Sequence, residues 1–382
     1  MDFSFLIPGR FMVQRGAADS IGAIVKLYMG RVCIFRYGES FFQSGTYDRL
    51  KRSLDGAGLQ HFVFEHVKGE PSPQVINDAA QFMREHNCDG ALAVGGGSVI
   101  DAAKAACALA PNGHDIMDYI EGFNPQPFAH KPLPVVAMPT TAGTGSECTK
   151  NSVITQKGSF KNSVRDDSML PAVSIVDAGL MLTVPQGVTA TAGADCICQL
   201  VESYVSKFAS PVTDALALHF TTRAFGALKK AYDHGGDADA REEMGLCASA
   251  GGMAMANAGL GAAHGLAAGF GALTPLEHGL ICGVTLPHVM RFNIANGILK
   301  YADIARAATG THYANDREAA MDAVHLVEDV NDYIGIPRNF KDAGINPDDA
   351  QKIARASMGS SMSKNPVEVT LADCEALVAG LL

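Results

Sequence analysis

The chain has 382 residues, 47% of them hydrophobic and 18% charged, which is enough for two domains and a large core and too apolar for a disordered protein. A formal net charge of −10 excludes the basic footprint of a nucleic-acid binder, and the acidity is read as serving solubility. The N-terminus MDFSFLIPGR has no basic region ahead of a long apolar run, so no signal peptide is expected. No stretch reaches the ~20 uninterrupted apolar residues of a membrane-spanning helix.

Short β-branched or apolar runs appear at Val32–Phe35, His61–Val67, Gly90–Val94, Val135–Met138 and Val173–Val176, with helical stretches such as Ser72–His86 and Val99–Leu109 between them. Alternating strands and helices predict a parallel sheet covered on both faces, with ligands beyond the carboxyl ends of its strands. From about Pro185 the texture turns to long Ala-, Leu- and Met-rich helical stretches at Val188–Phe208, Pro211–Tyr232 and Ala238–Asn257, and Asp233–Asp237 reads as a helix–helix loop. The expected fold is thus an α/β dinucleotide-binding domain over residues 1–180 followed by an all-helical domain over 181–382, with the boundary near Asp177–Pro185.

Nine cysteines, an odd number without C-x-x-C spacing, are expected to be reduced thiols of a cytoplasmic protein. Cys196-Ile-Cys198 reads as a soft metal pair or as two core thiols; residues two apart on a helix face different ways, which favours the core.

Two loops carry phosphate-binding chemistry. The strand Gly90–Val94 runs into Gly95-Gly-Gly-Ser98 and a helix follows from Val99, so the backbone turns tightly and free N–H groups face an anion. The second, Pro139-Thr-Thr-Ala-Gly-Thr-Gly-Ser146, follows the strand Val135–Met138 with four hydroxyls and two glycines. Two such loops on one sheet fit a dinucleotide, and neither ends as a Walker loop.

In the second half, Asp195 and Gln199 are four apart and share a helix face, and His264 and His278 stand in His-Gly contexts. A carboxylate and two imidazoles suit Fe2+ or Zn2+, and Gln199 would be a weaker, neutral fourth ligand. Taken singly, His264 reads as a core histidine and Asp195 as a helix cap. His288 reads as structural or on the cleft rim. His61, His66, His86, His114, His130, His219, His234, His312 and His325 show no ligand pattern, and Arg165-Asp166-Asp167 reads as a solvated loop.

Taken in order, Gly95-Gly-Gly-Ser-Val-Ile-Asp-Ala-Ala-Lys104, Pro139-Thr-Thr-Ala-Gly-Thr-Gly-Ser-Glu147, Val176–Pro185, Gly193-Ala-Asp195, His264, Glu277-His-Gly279 and Leu286-Pro-His-Val289 resemble the iron-containing (group III) alcohol dehydrogenases over nearly the whole chain. The resemblance implies the dehydroquinate synthase-like, iron-type alcohol dehydrogenase fold, with the active site in the cleft between the domains. It implies that Gly95, Gly96, Gly97 and Ser98 meet the pyrophosphate, that Asp101, Thr140, Thr141 and Thr144 line the cofactor, and that Lys161 reaches its ribose. Asp195, His264 and His278 would be catalytic and would match three of four metal ligands. Two departures stand out: Gln199 replaces the usual fourth-ligand His, and Ala268 replaces a His thought to assist proton transfer. The family commonly forms dimers or larger homo-oligomers, and Phe3–Phe11 is a candidate sheet edge for a partner chain.

In NAD-preferring relatives an acidic residue stands where Gly38 aligns. Gly38 removes that repulsion and Ser40 would donate to a 2′-phosphate, so NADP(H) is expected over NAD(H), as in the butanol dehydrogenase-like branch; Glu39 argues the reverse if it turns inward. The leading reading is metal-assisted hydride transfer between a nicotinamide and an alcohol or aldehyde. Small residues at Ala267, Ala268 and Gly269 would leave room for a bulkier or polar aldehyde. The alternatives are a metal-independent reductase polarising the carbonyl through Gln199 and His264, a lyase, and a silent nucleotide binder. The lyase needs several Lys and Arg in the cleft, and Asp195–Phe292 has few.

Overall fold

The computed structural model describes residues 3–36, 38–65, 67 and 69–382. Tyr37, in the turn expected to face the cofactor, and His66, within the expected strand His61–Val67, lie outside the described residues, as does the side chain of Ser40. Six strands form one parallel sheet: β1 (Arg10–Val13), β2 (Arg31–Arg36), β3 (Gln60–Phe64), β4 (Gly90–Gly95), β5 (Val135–Pro139) and, after an antiparallel hairpin of β6 (Asn151–Gln156) and β7 (Phe160–Arg165), β8 (Val173–Val176). The order across the sheet is β1-β8-β5-β4-β2-β3. The chain runs outward from β2 to β3 and returns to β4 on the other side of β2. That reversal opens a crevice at the carboxyl ends of β2 and β4, where such sheets take their ligands.

Both faces of the sheet are covered, as parallel pairing requires. Along β2, Cys33 and Phe35 pack into one apolar cluster while Val32 and Ile34 pack into another on the opposite face, the two-residue alternation of a strand. The covering helices are α1 (Ile21–Val25), α2 (Ser40–Gln43), α3 (Thr46–Gly56), α4 (Pro73–Glu85) and α5 (Gly97–Leu109). The start of α4 has a stated cause: the Ser72 hydroxyl accepts from the Val75 N–H at 3.3 Å, with Pro73 at the first helical position.

The C-terminal domain is helical: α6 (Gln186–Val205), α7 (Pro211–Asp233), α8 (Ala238–Ala258), α9 (Ala262–Leu273), α10 (His278–Ala295), α11 (Tyr301–Thr309), α12 (Asp316–Tyr333), α13 (Ala350–Ser357) and α14 (Leu371–Leu381). One large apolar cluster draws on nearly all of them. Among the described residues no helix is long and apolar enough to cross a membrane.

The sequence reading does not anticipate β1, β6 or β7. Asn151–Gln156 and Phe160–Arg165 alternate too many polar residues to read as buried strands, because one face of their hairpin lines a cavity. The expected free edge at Phe3–Phe11 also differs. Only Arg10 and Phe11 of that stretch are in a strand, paired with β8 of the same chain. The backbone of Leu6 is engaged at both polar atoms by Asn257, whose Oδ1 accepts at 2.6 Å and whose Nδ2 donates at 2.8 Å.

The two domains meet through buried polar contacts and a pair of glycines. Ser249 on α8 donates to the Glu147 carboxylate at 2.6 Å, and burial raises that carboxyl above its usual range. Lys104 is fully buried and donates to the carbonyl of Ser146 at 3.0 Å, the hydroxyl of Thr149 at 2.9 Å and the carbonyl of Asn151, so α5 anchors the loop after β5. A Cβ on Gly252 of α8 would lie 2.2 Å from the carbonyl oxygen of Gly145, which itself sits at φ +58°. We expect Gly252→Ala to destabilise the protein by about 1–3 kcal/mol, since the clash is with backbone. Gly187→Ala, whose Cβ would meet nothing within 4 Å, should stay within about 0.5 kcal/mol of the parent. Chemical denaturation of the three proteins checks this; equal losses would contradict it.

Candidate active site

A cavity of about 320 Å³ opens between the sheet and the helical domain. Of the residues singled out from sequence, Gly97, Ser98, Asp101, Thr144, Lys161, Asp195, Gln199, His264 and His278 line it. Gly95, Gly96, Thr140 and Thr141 are not in its wall but hold the two loops together: the Thr140 N–H donates to the Gly95 carbonyl at 3.0 Å, and a Cβ on Gly96 would lie 3.2 Å from the Thr141 hydroxyl oxygen. A Cβ on Gly97 would lie 2.5 Å from the Thr144 hydroxyl oxygen, so only glycine lets the loops close at the start of α5. The first backbone N–H groups of that 13-residue helix are therefore presented to the cavity. Asp101 is engaged within the protein. Its carboxylate accepts from the Ser146 hydroxyl at 2.5 Å and the Val153 N–H at 2.9 Å, and lies 3.1 Å from Lys104.

At the neighbouring strand end, Gly38 takes a left-handed turn at φ +62°. Arg36 is buried and donates to the Gly38 carbonyl at 2.7 Å, pairs with Glu65 at 3.0 Å, and lies 4.2 Å from the centre of the Phe42 ring; its Nε has no partner. The side chain of Glu39 is 76% exposed, and its carboxylate lies 3.8 Å from the Arg36 guanidinium.

At the other end of the cavity, helices α6, α9 and α10 bring Asp195, His264 and His278 together. Close approach of α10 to α6 depends on Gly279, where a Cβ would lie 2.1 Å from the Thr191 carbonyl oxygen. Asp195 Oδ1 is 3.2 Å from His264 Nε2 and 3.8 Å from His278 Nε2. Gln199 donates its Nε2 to Asp195 Oδ2 at 3.0 Å, and its Oε1, on the side of Gly251, is buried without a partner. The amide thus faces the carboxylate with its N–H rather than offering its oxygen to the imidazoles.

Glu202, one turn beyond Gln199, is absent from the sequence reading. Its buried carboxylate accepts from the Ala263 N–H at 2.6 Å, the His264 N–H at 3.3 Å and His264 Nδ1 at 2.7 Å, which leaves Nε2 directed at Asp195. Cys282, one turn beyond His278, is the second omission: its Sγ is 3.7 Å from Nε2 of both His264 and His278. The i, i+4 spacing of His278 and Cys282 was the available signal. Burial alone would lower the pKa of His264, but Cys282, Asp195 and Glu202 outweigh it and hold the imidazole well above its ordinary range. Burial pushes the Cys282 thiol up, but a hydrogen bond from Cys198 and the neighbouring imidazoles bring it well below. Cys198, expected among core thiols, is buried as expected yet lies 3.6 Å from His264 Nδ1.

Several expectations are corrected by the wall of the cavity. Arg165 and Asp167 are exposed as expected, but Arg165 ends β7 rather than standing in a loop, pairs with Glu121 at 3.0 Å and lines the cavity, while Asp167 pairs with Lys150 at 2.6 Å. The cleft is not poor in basic groups. Lys150, Lys161 and Arg165 arrive from the hairpin and its entry and Lys364 from the C-terminal region, all outside the window Asp195–Phe292. Burial, with Arg165 and Lys150 nearby, brings Lys364 down to about 8. Lys161 pairs with Glu70; desolvation would raise that carboxyl, but Lys161 and the Thr155 hydroxyl hold it below its usual range. Of the three small residues expected to leave space, only Ala268 faces the cavity; Ala267 is wholly buried, and a Cβ on Gly269 would lie 2.2 Å from the Ser357 hydroxyl oxygen. His288 lies away from the cavity, its Nε2 2.9 Å from the Arg338 carbonyl oxygen.

The profile described as iron-containing alcohol dehydrogenase matches residues 8–178, and that of the C-terminal domain of the same family matches 189–382. The chain belongs to the iron-containing alcohol dehydrogenase family. It is 32% identical over 383 residues to the NAD-dependent methanol dehydrogenase of Bacillus methanolicus, covering 99% of this chain and 100% of that one. It is 33% identical over 368 residues to the lactaldehyde reductase of Escherichia coli K12, covering 94% of each. A solved 1,3-propanediol oxidoreductase superposes with a TM-score of 0.94 at 29% identity, over 100% of both chains. As in that family, this protein is an alcohol/aldehyde oxidoreductase, and membership implies a nicotinamide cofactor and a divalent metal.

The donor set of this iron-type dehydrogenase fits such a cation: one oxygen, two imidazole nitrogens and one sulfur lie within 4.8 Å of one another, and one imidazole has its far nitrogen fixed by a carboxylate. Glu202→Gln keeps every one of these donors, removes the charge behind His264 and leaves one accepting oxygen where two now serve the α9 N–H groups and Nδ1. We expect it to weaken zinc binding by about 10–100-fold in competition with a chromophoric chelator; an unchanged affinity would contradict the role given to Glu202.

Proposed function

We propose that the protein reduces small polar aldehydes with NADPH, with a divalent cation held at Asp195, His264 and His278. The observation that carries this reading is that one cavity is lined at one end by the N-terminus of α5 with Gly97 and Ser98, and at the other by the three donors. In this reading α5 holds the pyrophosphate, and the crevice between β2 and β4 takes the adenosine ribose. The cation, when bound, acts as a Lewis acid toward the carbonyl oxygen, and the nicotinamide supplies the hydride.

The chain's own residues set up the rest. Glu202 fixes the His264 tautomer, and Gln199 holds Asp195 by its second oxygen. Ala268 offers no proton at the cavity wall, so the proton reaches the product oxygen through solvent in the cavity or a ribose hydroxyl. Met255 and Leu260 give the cavity an apolar side, while Asn162, Ser360, Ser361 and Lys364 give it polar groups for a polar substrate. Nine buried free cysteines suit a reducing cytoplasm.

The cofactor preference rests on Gly38 and Arg36. Gly38 carries no side chain to repel a 2′-phosphate, and the Arg36 guanidinium at the end of β2 offsets the Glu39 and Glu65 carboxylates, which lie 3.8 and 3.0 Å from it. The name of the Bacillus methanolicus relative favours NAD(H) instead. Initial rates of aldehyde reduction with each cofactor decide between them. We expect kcat/KM for NADPH to exceed that for NADH by at least about tenfold, or 1.4 kcal/mol, and Gly38→Asp to reverse the order. A native preference for NADH would overturn the NADPH assignment, and no turnover with either cofactor would overturn the enzyme reading.

A further inference from the structure

We propose that Cys282 is the fourth protein ligand of the cation, taking the place vacated by Gln199. The inference rests on the metal-assisted reading above and concerns which side chains complete the site. Three observations carry it. First, Gln199 directs its N–H at Asp195 Oδ2, and its oxygen lies on the side of Gly251 with no bond to either imidazole. An amide nitrogen engaged as a donor has no lone pair to offer a cation. Second, Cys282 stands one helical turn after His278, so both side chains leave α10 on the same face, and its sulfur is equidistant, at 3.7 Å, from the two Nε2 atoms. It lies within 4.8 Å of the Asp195 oxygen as well, so one ion can reach all four. Third, the other nearby thiol is excluded by geometry. Cys198 faces Nδ1 of His264, at 3.6 Å, the nitrogen already bonded to Glu202 at 2.7 Å, and so lies behind the imidazole.

The consequences follow from charge and softness. On metal binding the thiol loses its proton to solvent as the sulfur–metal bond forms. Asp195 and the Cys282 thiolate then bring two negative charges to a divalent cation, giving a neutral centre. An aspartate with three neutral histidines would leave a net charge of +1. A thiolate also favours borderline-soft ions, so the site should prefer Zn2+ to Fe2+ more strongly than an all-N/O set would.

The test uses Co2+ as the probe, on native full-length protein and on Cys282→Ala and Cys198→Ala. One Co2+ per native chain with an intense near-ultraviolet thiolate-to-cobalt band is expected. The band should persist in Cys198→Ala and vanish in Cys282→Ala, which should bind Co2+ at least about tenfold more weakly, since losing a ligand costs no less than losing a group that only hydrogen-bonds to one. X-ray absorption of the zinc-loaded native protein should show one sulfur at ~2.3 Å, which tests the ligand even if a variant fails to fold. Stoichiometric Co2+ without the band, or zinc with no sulfur neighbour, would overturn Cys282 as ligand and leave the metal-assisted reading standing. A band that survives in Cys282→Ala and is lost in Cys198→Ala would overturn it equally. Absence of Co2+ and Zn2+ binding by the native protein would overturn the metal site itself, and this inference with it.

Discussion

The buried carboxylate of Glu202 is the interaction on which the active-site geometry depends. It takes two backbone N–H groups at the start of α9 and the Nδ1 of His264, so a single side chain caps the helix and orients the imidazole mounted on it. A buried carboxylate without such donors would be strongly disfavoured; with them it ties α6 to α9. Asp195, two turns earlier on α6, then meets His264 Nε2 by construction, and the tight α6–α10 contact at Gly279 brings His278 and Cys282 to the same point. The reacting end of the cavity is thus built by helix packing, and the pyrophosphate end by two loops on the rim of the sheet.

Much of this was legible in the sequence because it rests on local patterns. The core strands alternate with helical stretches, and β4 with its glycines announces the turn into α5. Asp195, His264 and His278 stood out because residue type and order both pointed to a cation site. What stayed hidden depends on distant partners. Glu202 looks like any acidic residue on a long helix until α9 is set against it. Cys282 sits in an apolar run, and apolar surroundings usually mean a core thiol. The hairpin of β6 and β7 hides because its inward face is polar, and it is polar because it lines a cavity. Arg165 and Lys364 belong to segments far from the ligands in sequence, and only the fold makes them neighbours of the same space.

The two departures from the family's ligand and proton-transfer residues have different physical consequences. At Ala268 a side chain is missing and cavity remains. At Gln199 a polar group is retained but redirected: its N–H supports Asp195, and its oxygen has no protein partner. Asp195, the two imidazoles and the carboxylate behind one of them keep their register around this change. Here all of these remain aimed at one point.

The most direct measurement is the metal content per chain, by elemental analysis of native protein purified without chelator or a metal-binding tag. About one zinc or iron per chain is the predicted result. Protein that stays metal-free after exposure to both ions, yet reduces aldehydes at full rate, would contradict the account.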